Sequence, residues 1–193
     1  PGIHNALNAA GVLTLLWTQG VDMQKAAQAL TTFAGVRRRF DKVGEVQGIT
    51  IVDDYAHHPT EIAATIKAAK ALDFNRVHVL FQPHRYSRIG LFTHVLRDEF
   101  SKAFNDADAV TFMDVYSAGE TPVPGVTGAT FMEPVREGYP NRGSLTYIPR
   151  RLEVVPTLTE ELQPGDLLIT MGAGDVTTIG AELVAALIEK YEA

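Results

Sequence analysis

Four short apolar runs, at residues 49–53, 77–81, 109–113 and 167–170, limit what this chain can fold into more than any other feature. They are rich in β-branched and aromatic residues and show almost none of the apolar–polar alternation of a strand with one wet face. Strands of that kind belong in a parallel sheet covered on both sides. Amphipathic stretches separate them, at 60–71, 91–104 and 179–190. The alternation predicts an open, doubly wound, mostly parallel α/β sheet. The stretch 117–148 is rich in Gly, Pro and Thr; it is expected to hold a helix near 131–137 and a short strand at 144–148.

The first 36 residues have a different character. Leu7, Ala10, Leu13, Leu16 and Trp17 recur at helical spacing in a first helix over 4–19, with Leu13 and Trp17 expected in a core. Gly20 stops it, and Asp22 is a suitable N-cap for a second helix carrying Ala26, Ala29, Leu30 and Phe33, ended by Ala34-Gly35. Residues 37–48 read as a short extended pair turning at 42–45. A boundary near Val36 therefore divides residues 1–36 from 37–193, the second part being long enough to bury its own core. The first residue is Pro and not Met, so the chain is expected to begin inside something longer.

Composition removes several classes of function. At 193 residues the length allows one domain and a little more, with no internal repeat. No apolar run reaches the 18 or so residues that a membrane span needs. A net charge of -6 argues against nucleic acid or an anionic membrane as partner, though it leaves room for a local basic pocket. The absence of cysteine excludes disulfides, thiolate metal sites and a cysteine nucleophile. With no signal sequence at its start, a cytoplasmic address is expected.

In open α/β sheets ligands bind beyond the carboxyl ends of the strands. Here those ends are chemically loaded: Asp53-Asp54-Tyr55-Ala56-His57-His58-Pro59, Gln82-Pro83-His84-Arg85-Tyr86-Ser87-Arg88, Asp114-Val115-Tyr116-Ser117-Ala118-Gly119-Glu120 and Met171-Gly172-Ala173-Gly174-Asp175. Each has a plainer reading. Gly172-Ala173-Gly174 lacks the third glycine of a dinucleotide fingerprint and serves equally as a strand-to-helix turn or a phosphate site. Asp53-Asp54 could cap a helix. His57-His58 suggest zinc, but no helical His-x-x-x-His spacing or further ligand set accompanies them, and no metal site is expected. Arg85 and Arg88, three apart, suit a carboxylate or phosphate through two parallel hydrogen bonds, or form a solvated basic face. Arg37-Arg38-Arg39 reads as a charged linker or as a contact to an anion or partner domain.

Three of these strand ends, Asp53-Asp54-Tyr55-Ala56-His57-His58-Pro59 with the following Thr60-Glu61, Gln82-Pro83-His84-Arg85-Tyr86-Ser87-Arg88 and Met171-Gly172-Ala173-Gly174-Asp175, together with Gly2-Ile3-His4-Asn5-Ala6-Leu7-Asn8-Ala9 and Gly35-Val36-Arg37-Arg38-Arg39-Phe40, resemble the ATP-dependent Mur ligases of peptidoglycan synthesis. Five motifs occur in the right order over nearly the whole chain. The stretches 82–88 and 171–175 narrow the resemblance to the branch that joins L-alanine to UDP-N-acetylmuramate. The resemblance implies a three-domain parent. Residues 1–36 would be the terminal helices of its central ATP-binding domain, and 37–193 its C-terminal Rossmann-like ligase domain. The cofactors implied are ATP and Mg2+, and the substrates ATP, L-alanine and UDP-N-acetylmuramate. The family's Gly-Lys-Thr phosphate loop, its magnesium-holding acid and histidine, and its UDP-binding domain are not in this sequence. The stretch alone is therefore expected to be inactive.

The reaction implied is phosphoryl transfer to the lactyl carboxylate, attack of the alanine amine on the acyl phosphate, and loss of phosphate. Carried over by position, Asn5 and Asn8 would contact adenine, Arg39 the ATP phosphates and Asp54 the ribose. His84, Arg85 and Arg88 would recognise the alanine carboxylate, and Tyr55 and His57 would complete the pocket, with His57 as proton acceptor. Ile89-Gly90 departs from the Thr and polar residues usual after the last arginine. Two alternatives belong beside this reading: the branch that recycles murein tripeptide, which lacks this His-Arg-x-x-Arg pattern, and a non-catalytic module binding a nucleotide or amino acid. No complete glycine fingerprint follows the first strand, which disfavours a dehydrogenase.

Overall fold

A computed structural model describes residues 3–33, 35–140 and 144–192. Pro1 and Gly2 of the first motif, and Ala34, lie outside them. The chain forms two units, Pro1–Arg37 and Arg38–Ala193.

The first unit is a helical pair, α1 (Ile3–Thr18) and α2 (Met23–Thr31). Asp22 caps α2 by accepting the N–H groups of Gln24 and Lys25 at 2.9 and 3.3 Å. Gly20, at φ 75°, ends α1 in the left-handed conformation that glycine adopts without strain. Within this stretch the pair does not enclose a core around Leu13 and Trp17. Leu13 is only half-buried and Trp17 is 68% exposed, because two helices share a single seam and enclose nothing.

The second unit runs β1 (Asp41–Val46), β2 (Ile49–Asp54), α3 (Pro59–Lys70), β3 (Arg76–Phe81), α4 (Tyr86–His94), α5 (Arg97–Ala103), β4 (Ala109–Met113), α6 (Gly128–Gly138), β5 (Leu145–Ile148), α7 (Arg151–Glu161), β6 (Asp166–Met171), α8 (Val176–Glu192). The strand order is β1-β2-β6-β3-β4-β5, with β1 antiparallel to β2 and every other pairing parallel. The doubly wound α/β sheet expected from the four runs is therefore present, with β5 and an antiparallel edge strand added.

Two buried layers cover the sheet. Ile62 and Ile66 of α3, Ile89 and Phe92 of α4, Phe100 of α5 and Phe131 of α6 pack on Val77, Val79, Phe81 and Phe112 on one face. Val154 and Leu158 of α7 and Val176, Ile179, Leu183 and Leu187 of α8 pack on Ile49, Ile51, Leu80 and Leu168 on the other. Right-handed crossovers explain the partition. The steps β2 to β3, β4 and β5 all travel one way and keep α3–α6 on one side; the return to β6 travels back and puts α7 on the opposite side. Both neighbours of β6 thus lead into helices on one face, while β6 itself leads into α8 on the other. The crevice where ligands gather in such sheets opens at that point.

Two local expectations need correction, and one helix was not expected. The hairpin turns at Gln47-Gly48 (φ 49° and 79°) and not at 42–45, since a two-residue turn of this hand needs positive φ at both positions. Gly44 has a packing role instead: a Cβ there would stand 2.8 Å from Val184 Cγ2 on α8. The stretch 91–104 is two helices broken at Val95-Leu96, an arrangement that brings Phe92 and Phe100 together at 4.9 Å between ring centroids. Helix α7 was not foreshadowed by any clean period, and it carries Pro156 in its interior.

Candidate functional site

The loaded strand ends converge, because β2, β3, β4 and β6 run parallel and finish at one edge. At the end of β2, Asp53 and Asp54 are both buried. Neither caps α3; His58 does, its Nδ1 accepting the Thr60 N–H at 3.4 Å. Asp53 accepts Nε–H of Arg38 at 2.9 Å and the hydroxyls of Thr170 and Thr177 at 2.7 and 2.8 Å. The Asp54 carboxylate accepts two backbone N–H groups, from Ala56 at 2.7 Å and Phe40 at 2.9 Å. Burial raises its pKa above the usual carboxylate value, while those two bonds and the Arg39 charge pull the other way. Asp54 thereby clamps the segment 38–40, whose Arg38 and Phe40 both have positive φ, onto the strand end.

Tyr55, partly exposed, is the centre of a second cluster. The guanidinium carbons of Arg38 and Arg39 lie 5.0 and 5.9 Å from its ring centroid, and the His57 ring meets it edge-on at 5.2 Å. Arg39 also reaches Glu61 at 3.5 Å. His57 Nδ1 lies 3.1 Å from the Tyr55 carbonyl. A carbonyl can only accept, so in this contact Nδ1 carries a hydrogen.

The end of β3 supplies His84, Arg85 and Arg88. His84 stacks on Tyr116 from the loop after β4, with 5.7 Å between centroids and 17° between planes. Its Nδ1 is buried without a hydrogen-bond partner. Burial first, then the charges of Arg88, Arg85 and His57, lower its pKa and keep the ring neutral. Arg85 lies 3.9 Å from Glu120, whereas among the described residues no carboxylate lies within 4 Å of the Arg88 guanidinium. The influence of His57 on His84 places the β2 and β3 loops within electrostatic reach of each other.

The loop after β6 is fitted against β3. Gly172 has φ 139°, and a Cβ there would come within 2.7 Å of the Gln82 carbonyl; at Gly174 a Cβ would strike Gln82 Oε1 and Tyr116. This loop is a strand-to-helix turn whose glycines are needed for close approach. Gln82 caps α8 from outside, Oε1 accepting Val176 N–H at 3.0 Å while its amide donates to Asp175 at 2.7 Å. A cleft of about 260 Å³ lies alongside, lined by Gln82, Asp114, Tyr116, Ser117, Arg151 and Asp175.

The second unit thus brings Arg39, Tyr55 and His57 into one cluster and His84, Arg85 and Arg88 into another beside it. Asn5 and Asn8 lie three positions apart on α1 of the first unit. Among the described residues no group of three His, Asp or Glu side chains is arranged to hold a metal, and no helix is long and apolar enough to cross a membrane. Sequence reasoning included Arg38, Gln82 and Glu120 in longer motifs but gave none of them an individual role, because each acts between elements distant in the chain. Chemically, the edge offers two guanidiniums and the neutral His84 ring for an anion, with a second imidazole, His57, at the neighbouring strand end.

Comparison with known proteins places the chain in a family. The family model described as Mur ligase, glutamate ligase domain, matches residues 38–174. UDP-N-acetylmuramate–L-alanine ligase of Anaeromyxobacter dehalogenans (strain 2CP-C) is 47% identical over 186 residues, covering 96% of this chain and 39% of that protein. The enzyme of the same name from Pelotomaculum thermopropionicum is 44% identical over 192 residues, covering 100% and 40%. This chain spans about two fifths of the length of the curated relatives it matches. Among solved structures, UDP-N-acetylmuramate-alanine ligase MurC from Thermotoga maritima superposes with a TM-score of 0.73 at 28% identity, over 98% of this chain and 39% of that one. A murein peptide ligase from Psychrobacter arcticus gives 0.72 at 25% identity, over 97% and 37%.

Proposed function

Since the chain belongs to the Mur ligase family and carries its glutamate ligase domain, we propose that it supplies the amino-acid-binding half of an ATP-dependent ligase joining L-alanine to UDP-N-acetylmuramate. The observation that carries this reading is the pairing of Arg85 and Arg88 with the neutral His84 at the end of β3, beside His57 at the end of β2. Guanidinium forks fit a carboxylate, and the neutral His84 ring adds a further hydrogen-bonding group without adding charge. Tyr55 walls the pocket. His57 takes the proton that the alanine ammonium must lose before its nitrogen can attack; an α-amino group titrates at about 8–10 and is mostly protonated at neutral pH, so it needs a positioned acceptor.

The chemistry asked of the whole enzyme is phosphoryl transfer from ATP to the lactyl carboxylate, then attack of the alanine amine on the acyl phosphate and expulsion of phosphate. A hydrolysable acyl phosphate has to be kept from water. A domain whose reactive edge lies at strand ends, and which closes over the nucleotide half, does this while bringing the amine to the carbonyl. In this reading Arg39 reaches the ATP phosphates, and Asn5 and Asn8 hold adenine. Asp54 approaches the ribose with whatever lone pairs its two backbone bonds leave, and otherwise serves the nucleotide by holding Arg39 in place. ATP and UDP-N-acetylmuramate are held mainly by parts of the longer protein outside this stretch. Mg2+ belongs with them, and no residue of this edge is assigned to it.

A comparable superposition on a murein peptide ligase keeps one competing substrate in view. The His84-Arg85-Tyr86-Ser87-Arg88 stretch favours a single amino acid. The test is product formation by the full-length protein supplied with MgATP, UDP-N-acetylmuramate and either labelled L-alanine or murein tripeptide. Incorporation of L-alanine supports the proposal; incorporation of tripeptide alone transfers the chain to the recycling branch, and incorporation of neither returns it to a binding module.

A further inference from the structure

The loops after β3 and β4 are stitched together. Tyr116 N–H donates to the Pro83 carbonyl at 2.9 Å, and Arg85 N–H donates to the Tyr116 carbonyl at 2.8 Å. Helix α4 starts immediately beyond this seam, and its start is unusual. The capping residue is Arg85, with φ 69°, and its side chain makes no capping bond. The first N–H groups of a helix have no partner within it. Here the acceptor arrives from the other loop. Glu120 Oε2 accepts the Ser87 N–H at 3.0 Å and Oε1 accepts the Ser87 hydroxyl at 2.6 Å, with Arg85 Nη1 3.9 Å away.

Several features converge on that placement. Ala118 and Gly119 turn the chain at φ 52° and 85°, and Glu120 N–H closes the turn on the Ser117 carbonyl at 3.0 Å. A carboxylate is well placed at a helix N-terminus, where the backbone dipole is positive. The bonds from Ser87 hold the Glu120 carboxyl below its ordinary range, which favours its ionised form. A similar arrangement recurs along the edge, where Gln82 caps α8 and Asp114 Oδ1 caps α6 through Gly128 N–H at 2.8 Å.

We infer that Glu120 is a positioning residue for amino-acid recognition: it fixes the first turn of α4 and so aims Arg85 and Arg88. The inference rests on the reading of those arginines as the carboxylate site. Glu120 also distinguishes the two arginines, since it partly neutralises Arg85 and leaves the Arg88 fork for the ligand. A clamp of this kind depends on placement, and a displacement of about 1 Å can cost up to ~10²-fold.

The test is steady-state kinetics on the full-length protein. Glu120→Ala should raise KM for L-alanine about tenfold while KM for UDP-N-acetylmuramate stays within about twofold. Glu120→Gln keeps one acceptor for Ser87 and should fall between Glu120→Ala and the unaltered protein. Ser87→Ala, which loses only the hydroxyl bond, should shift KM the same way by less, and this pair carries the comparison if Glu120→Ala does not fold. Arg88→Ala separates the two claims. If it raises KM for L-alanine and Glu120→Ala does not, Glu120 has no positioning role and the arginine site stands. If Arg88→Ala also leaves KM unchanged, the carboxylate site itself is wrong and the inference falls with it. Equal rises for both substrates in the Glu120 variants would mark a general structural loss and overturn the positioning role.

Discussion

Arg38 Nε donates to Asp53 Oδ2 at 2.9 Å, and the same guanidinium donates through Nη2 to the Gly172 carbonyl at 2.6 Å. One side chain therefore ties the entry segment of the domain to the end of β2 and to the loop after β6, while lying over Tyr55. Arg38→Ala leaves the buried Asp53 with only its two threonine donors. Unfolding by urea should show a loss of about 1–3 kcal/mol. Arg38→Lys should recover only part of it, because an ammonium cannot span both acceptors and stack on the ring. Full stability of Arg38→Lys would show that charge alone matters there.

Asp54→Ala removes the acceptor of the Phe40 and Ala56 N–H groups. Stability should fall by about 2 kcal/mol, and use of ATP by the full-length protein should weaken. The two effects divide the possible roles. If ATP kinetics suffer while the melting temperature holds, Asp54 touches the nucleotide directly. If both fall together, it acts by clamping Arg39 and Phe40.

His78 lies at the opposite, amino-terminal edge of the sheet, buried, with Asp166 3.6 Å away and Arg76 and Asp108 nearby. Burial lowers its pKa below 6.5, and Arg76 lowers it further, while Asp166 and Asp108 oppose. The unfolded chain therefore takes up the proton first. The stability contributed by the neutral ring is complete above about pH 6.5 and is lost as pH falls below it. Denaturant midpoints should decline from pH 7 towards about pH 5, and His78→Gln should flatten that slope. An unchanged slope would place the titrating group elsewhere.

Gly172→Ala introduces a Cβ within 2.7 Å of the Gln82 carbonyl at a backbone φ of 139°. The loop must move or strain, at a cost of roughly 1–3 kcal/mol. Because Gln82 also caps α8, amide exchange at Val176 should accelerate in the same variant. Protection equal to that of the parent would mean the loop absorbs the methyl group without disturbing the cap.

The sheet was legible because strands buried on both faces leave a compositional mark: 49–53, 77–81, 109–113 and 167–170 lie within β2, β3, β4 and β6. The loaded edge followed from parallel strands ending together. What escaped sequence reasoning depends on contacts across the chain. Gly44 resembles a turn glycine until Val184 is seen against it, and Pro156 obscures α7. Asp54 is a polar residue at a strand end whether it faces a ligand or, as here, two backbone N–H groups. The Glu120 carboxylate takes its hydrogen bonds from Ser87, 33 positions back; its role exists only because two loops meet.

The most direct test is the KM for L-alanine of Arg85→Ala and Arg88→Ala in the full-length protein, measured with UDP-N-acetylmuramate and MgATP saturating. Loss of a charge-assisted hydrogen bond is worth about 1.5–3 kcal/mol, so KM should rise by roughly ten- to a hundredfold, more for Arg88, with the KM for UDP-N-acetylmuramate barely moved. A KM for L-alanine unchanged in both variants would contradict the assignment of this edge to the amino acid.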